Sequence, residues 1–134
     1  MNKFTFDARA VVLAGVMLFG TATALVAGAD DYEFQAVETE IKKGPGSAVL
    51  VRLVDKRTGK TVPDAVIFTT RMDMAPDGME MMTTTVEPLA STEPGVYAFI
   101  TNLSMEGGWR FQVAAKVQGE PETVKGEIVL KAVP

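Results

Sequence analysis

From Tyr32 onward, apolar and polar residues alternate in short runs, and no stretch keeps a helical period. The clearest run is 109–117, where Trp109, Phe111, Val113, Ala115 and Val117 share one face and Arg110, Gln112 and Lys116 the other. In 47–54, Val49, Val51 and Leu53 oppose Ala48, Leu50 and Arg52. In 96–101, Tyr97 and Phe99 oppose Val96, Ala98 and Ile100. Further strands are predicted over 32–37, 65–71, 83–89 and 124–130. Turn residues separate them at Gly44-Pro45-Gly46, Asp55 to Lys60, Ser91 to Gly95, Asn102 to Gly108 and Gln118 to Pro121. Short strands at this spacing predict an all-β fold, an immunoglobulin-like antiparallel β-sandwich of about seven strands in one domain. Trp109 and Tyr97 are expected in its core.

The beginning of the chain reads differently. Lys3 and Arg9 precede an apolar run over 10–29 that closes on Ala27-Gly28-Ala29 before Asp30-Asp31. This is the pattern of a secretory signal peptide, 1–29, cleaved after Ala29 to leave the domain 30–134 in the periplasm or otherwise exported. The run is close to the ~20 residues that span a bilayer, so if retained it would anchor the domain to the inner membrane. Thr21, Thr23 and the Ala-x-Ala ending favour cleavage.

Charge and composition narrow the function. The chain carries a net charge of −4. Lys3, Arg9 and Asp7 all lie in the signal, so the domain is one unit more negative. That argues against nucleic acid or an anionic membrane surface as partner, since both need a basic face. There is no cysteine and no histidine. The usual zinc ligand sets, the Cys/His pairs and the Ser/His/Asp triad are therefore excluded. No pairing of the remaining Ser, Thr, Lys and carboxylates identifies a nucleophile and its base, and an enzyme is not expected.

What the chain does concentrate is methionine. Five of its eight methionines fall within Arg71-Met72-Asp73-Met74-Ala75-Pro76-Asp77-Gly78-Met79-Glu80-Met81-Met82. Ala75-Pro76-Asp77-Gly78 is a turn signal, so these methionines sit on both arms of a hairpin. Two registers are open. If the four turn residues form the loop, Met74 faces Met79 and Met72 faces Met81. If Gly78 forms a bulge, which is the favoured register, Ala75 faces Met79 and Met72 faces Met82. In a purely antiparallel sandwich, loops two strands apart lie at the same end, which brings Met105 towards the hairpin.

Thioethers are neutral, soft donors that select Cu(I), and equally Ag(I), over hard cations. Met72, Met74, Met79, Met81, Met82 and Met105 are thus the candidate metal ligands. The competing readings are an adaptable, metal-free docking surface for another protein of an envelope assembly, and plain packing, with one or two of these methionines in the core under the hairpin in any case. Asp73, Asp77 and Glu80 match no calcium loop and are read as solvated hairpin charges, with Arg71 offsetting them at the surface.

Gly59-Lys60-Thr61-Val62-Pro63-Asp64-Ala65, the methionine hairpin, Pro94-Gly95-Val96-Tyr97 and Met105-Glu106-Gly107-Gly108-Trp109 together resemble the YtkA-like domain, found also in FixH-type proteins. The resemblance runs from about Glu33 to Val129. It implies a small exported or membrane-anchored β-sandwich associated with copper handling, metal efflux or cytochrome oxidase assembly, and metal-binding roles for the six methionines. The partner it implies is a copper efflux or oxidase-assembly protein of the cell envelope. The missing histidines favour Cu(I) over Cu(II).

Overall fold

The computed structural model describes residues 29–134 except Thr92. The signal peptide predicted over 1–29 therefore lies, but for Ala29, outside the described residues. A 3-10 turn, Ala29–Asp31, leads into ten strands among the described residues: β1 Tyr32–Ala36, β2 Glu40–Lys42, β3 Gly44–Asp55, β4 Lys60–Thr61, β5 Val66–Met74, β6 Met79–Thr84, β7 Val86–Leu89, β8 Val96–Leu103, β9 Gly107–Lys116 and β10 Val124–Val133.

They form two sheets, one in the order β2-β10-β9-β5-β6, the other β1-β3-β8-β7 with β4 beside β3. All pairings are antiparallel except β10 with β2, which is parallel over Lys131–Val133 and Glu40–Lys42. This is the predicted immunoglobulin-like sandwich, with differences of detail that have local causes. The expected strand 83–89 is two strands in different sheets, because β6 stays with β5 while β7 pairs with β8. The switch comes at Thr85, whose carbonyl accepts from the buried Thr101 hydroxyl at 2.7 Å. Gly44-Pro45-Gly46 opens β3 instead of breaking the chain, and the irregularity appears as a register shift between Gly44 and Ser47 against β8.

Inward residues of both sheets fill one core. Val49, Val51 and Leu53 of β3 and Phe99 and Leu103 of β8 meet Trp109, Phe111 and Val113 of β9 and Ile128 and Leu130 of β10. The Phe99 and Phe111 rings meet edge to face across the gap, centroids 5.2 Å apart, the geometry that aromatic quadrupoles prefer. Trp109 is in the core as expected. Tyr97 is only half-buried. Its hydroxyl donates to the Val62 carbonyl at 2.6 Å and accepts the Ala65 N–H at 3.0 Å, tying the segment before β5 to the opposite sheet.

Arg57, in the turn after β3, ties the start of the domain to a late turn. It reaches Asp55 at 3.0 Å, Asp31 at 3.5 Å and Glu120 at 3.7 Å, and Tyr32 donates to Glu120 at 2.8 Å. Burial, then the bond to Glu120, pushes the Tyr32 phenol up to about 12.

Candidate methionine site

Strand β5 carries the first arm of the methionine hairpin, and its alternation sends Met72 and Met74 inward. Both are fully buried members of the core. Met72 lies opposite Phe111 on one side and Thr84 on the other. Met74 is opposite Met79, which is partly buried against the same core.

Between them the chain turns through Ala75–Asp77, one 3-10 turn with Pro76 inside it and Gly78 in the left-handed region at φ 76°. The Gly78 N–H closes the turn on the Ala75 carbonyl at 2.8 Å. A residue with a Cβ would be strained there, which is why the Pro-Asp-Gly sequence ends as it does.

Neither predicted register survives beyond the turn. Met74 faces Met79, as in the four-residue loop, but the next pair is Asp73 with Thr83 and the one after is Met72 with Thr84. Glu80, Met81 and Met82 are thus extra residues that bulge from β6 opposite no residue of β5. Met72 faces neither Met81 nor Met82, which corrects both expected pairings. Met81 is 88% exposed and Met82 43% exposed.

The physical reason is a charge cluster that alternation did not reveal. Asp73 points away from the core yet is fully buried, correcting its reading as a solvated charge. One carboxylate oxygen accepts from Arg71 Nε and Arg110 Nη2, each at 2.8 Å. The other accepts the Ala75 N–H at 3.0 Å and so starts the turn. Burial raises the Asp73 carboxyl, but the bonds from Arg110, Arg71 and the Ala75 N–H outweigh it and hold the group below the usual carboxylate range. Arg71, the supposed surface counter-charge, then reaches across β6 and donates from Nη2 to the Glu80 carbonyl at 2.9 Å. That bond occupies the backbone of the bulge.

Met105 lies in the loop between β8 and β9, and this loop abuts the turn as the parity of the strands predicts. Asp77 accepts the Gly108 N–H at 3.1 Å, so it too is engaged. Glycine is needed at 107, where φ is +130° and a Cβ would strike the Asp77 carboxylate and come within 3.3 Å of the Met74 methyl. At 108, a Cβ would lie 2.7 Å from that of Pro76. Trp109 Nε1 donates to the Met105 carbonyl at 3.0 Å, and Lys43 meets Glu106 at 3.3 Å. Held in this way, Met105 keeps a 40% exposed side chain.

The hairpin and the Met105 loop, joined through Asp77 and Gly108, thus carry Met79, Met81, Met82 and Met105 at or near the surface, with Met74 buried opposite Met79. Met72 is placed deeper in the core. Among the described residues no three Asp or Glu side chains converge as a hard-cation site.

An immunoglobulin-like β-sandwich with a methionine-bearing hairpin defines the class of this protein. The YtkA-like family model matches residues 26–114, and the chain belongs to that family. The match spans the hairpin and most of β9. Comparison with curated proteins finds no significant match. Among solved structures, the chain is similar to the filamin domain of Lin-41, with a TM-score of 0.43, 20% identity, and 73% of this chain and 93% of that one covered. It is also similar to the C-terminal domain of ZirS, with a TM-score of 0.41, 11% identity and coverage of 100% and 88%. A third is a conjugative transposon lipoprotein from Bacteroides eggerthii, with a TM-score of 0.34, 11% identity and coverage of 75% and 96%.

Proposed function

We propose that this protein is an exported, non-catalytic carrier or buffer of Cu(I), which it passes to an efflux or cuproenzyme-assembly partner in the cell envelope. The observation that carries the reading is the joining of the hairpin turn to the Met105 loop. Asp77 bonds the Gly108 N–H and the Met74 methyl lies under Gly107, so thioethers from two separate loops are gathered at one end. The donors would be Met79, Met81, Met82 and Met105, with Met74 beneath them and Met72 given to packing.

The donor set fits a soft monovalent ion. Thioethers are neutral and do not compete with protons, so capture persists in mildly acid surroundings. Ag(I) would bind the same sulfurs. The nearby carboxylates are engaged, Asp73 by two guanidinium groups and Asp77 by a backbone N–H, which leaves them poor competitors for a harder ion.

Titration of the purified protein with Cu(I) under reducing conditions, against a competing chelator, tests this. Wild type should take up Cu(I), and a variant with Met79, Met81, Met82 and Met105 changed to Leu should lose it. Unchanged uptake by that variant would sink the proposal.

The exposure of Met81 and Met82 on the bulge favours a second reading, a metal-free module that docks an envelope partner through flexible apolar side chains. In that case the Leu variant would retain its partner in metal-stripped preparations.

A further inference from the structure

Away from the methionines, the side of the sandwich between β5 and β7 has an open edge. Strand β6 pairs with β5 only at Met72–Met74. Among the described residues, the segment from Val66 to Arg71 is paired on its β9 side alone. Its outward N–H and C=O groups form a template for one more strand. Natural edges are commonly blunted with proline or charge, and Val66-Ile67-Phe68-Thr69-Thr70 has neither. The register shift against β9 at Phe68 adds local twist without closing the edge. Across the cleft, β7 is blunted, because Pro88 has no N–H to offer.

Between these edges lies a cleft of about 540 Å³ with Ile67, Pro88, Leu89, Tyr97 and Phe99 in its lining. A hollow of about 190 Å³ beside Phe68, Thr69 and Thr70 adjoins it through Ile67, Pro88 and Phe99. Val66 is 64% exposed and Phe68 53% exposed beside it.

Charge decides what would enter. The lining contains no Lys or Arg and does contain Glu93. Asp64 stands exposed just before β5 and Glu87 exposed on β7, while Arg71 is committed to Asp73 and Glu80 and Lys116, opposite Val66 on β9, lies one strand back from the open edge. A second copy pairing along this edge about a two-fold axis would offer a segment without lysine, whose Arg71 is already engaged, and so would bring no free cation to these carboxylates.

We propose that this cleft receives an extended, apolar segment of a partner protein carrying basic residues, which pairs along Val66 to Arg71 as an added strand. Alternate side chains of that segment fill the cleft over Ile67 and Phe99, and its cations meet Asp64, Glu87 and Glu93. Nothing in this depends on metal binding.

The test uses 15N-labelled protein and two synthetic peptides of about ten residues, a length that spans any ordinary strand, built of alternating Val and Thr. One ends in lysines, the other in glutamates. The lysine peptide should shift the amide signals of Val66 to Arg71 and slow their exchange, and the glutamate peptide should bind at least about threefold more weakly. Thr69→Pro should abolish pairing. Because a proline there can disturb the strand itself, Phe68→Lys, at an exposed position, is the second variant and should repel the lysine peptide. Absence of shifts, shifts confined to other strands, equal binding of both peptides, or unchanged binding by Phe68→Lys would each overturn the proposal. So would a concentration-dependent dimer that protects the same amides without peptide.

Discussion

Arg71 donates from Nη2 to the carbonyl of Glu80 at 2.9 Å while its Nε holds Asp73 at 2.8 Å. A single guanidinium thus links a buried carboxylate in β5 to the backbone of the bulge that presents Met81 and Met82. Replacing it should free the bulge without unfolding the domain. Arg71→Gln is expected to lose about 1–3 kcal/mol of stability, as for one of two charged bonds to a buried carboxylate that keeps Arg110. Amide exchange of residues 80–82 should quicken and the Met81 and Met82 methyl signals should sharpen towards free-chain positions. Rigid, unchanged signals would show that the bulge holds itself.

Asp73 is the deeper member of that link, and its effect depends on pH. Its carboxyl is held below the usual range in the folded state, so its stabilisation is complete above the ordinary Asp value of about 3.9. It is lost as pH falls through the lowered folded value. Asp55, lowered first by its bond to Arg57, adds a contribution of the same sign. Asp73→Asn should therefore be less stable than wild type at pH 7, by about 2 kcal/mol for a broken charged bond in a buried site, and the difference should shrink below about pH 4. Chemical denaturation at pH 7 and pH 3 measures both.

Trp109 is the only tryptophan in the chain, and it is bonded to the Met105 carbonyl. Its emission therefore reports on the loop that carries Met105. Trp109→Phe keeps an aromatic ring in the core but removes the donor, and should cost about 1–2 kcal/mol. The Met105 methyl signal should move while that of Met72 stays. Equal movement of both would point to general loosening of the core.

Gly107→Ala is expected to damage the site from the other side. The left-handed backbone at φ +130° and the approach of Asp77 leave no room for a Cβ. A loss of about 1–3 kcal/mol is expected for such a strained conformation, together with displacement of Asp77 from the Gly108 N–H. Gly119→Ala, also at positive φ but with open space around it, separates backbone strain from collision and should cost less. Thermal unfolding of the two variants measures the difference.

The buried and exposed methionines should respond differently to truncation. Met72→Ala removes a fully buried core side chain and should cost about 2–5 kcal/mol. Met81→Ala, at a position 88% exposed, should change stability by no more than about 0.5 kcal/mol. Similar losses at both positions would mean that the bulge packs more closely than its exposure indicates.

Alternation and turn chemistry by themselves determined the sandwich, its single core, the place of Trp109 and the hairpin at Pro76-Asp77-Gly78. They succeed because they depend on neighbours one or two residues apart: a strand half-buried in a sandwich must alternate, and a tight turn needs fixed and positive φ values. The sequence also placed the Met105 loop at the hairpin end, since parity in an antiparallel chain is a counting argument. Only the tertiary structure decided the register beyond Met74 and Met79, the division of the expected fourth strand between two sheets, and the burial of Asp73. The register and the burial of Asp73 depend on Arg110, thirty-seven residues away from Asp73, and on an arginine reaching over to a carbonyl of the next strand; the division depends on the pairing of β7 with β8. Alternation assigns a side chain to the outer face, but it cannot say that two guanidinium groups will cover it there. The methionines were legible as a set; alternation along β5 puts Met72 and Met74 in the core, while the bulge of Glu80 to Met82 leaves Met81 and Met82 exposed.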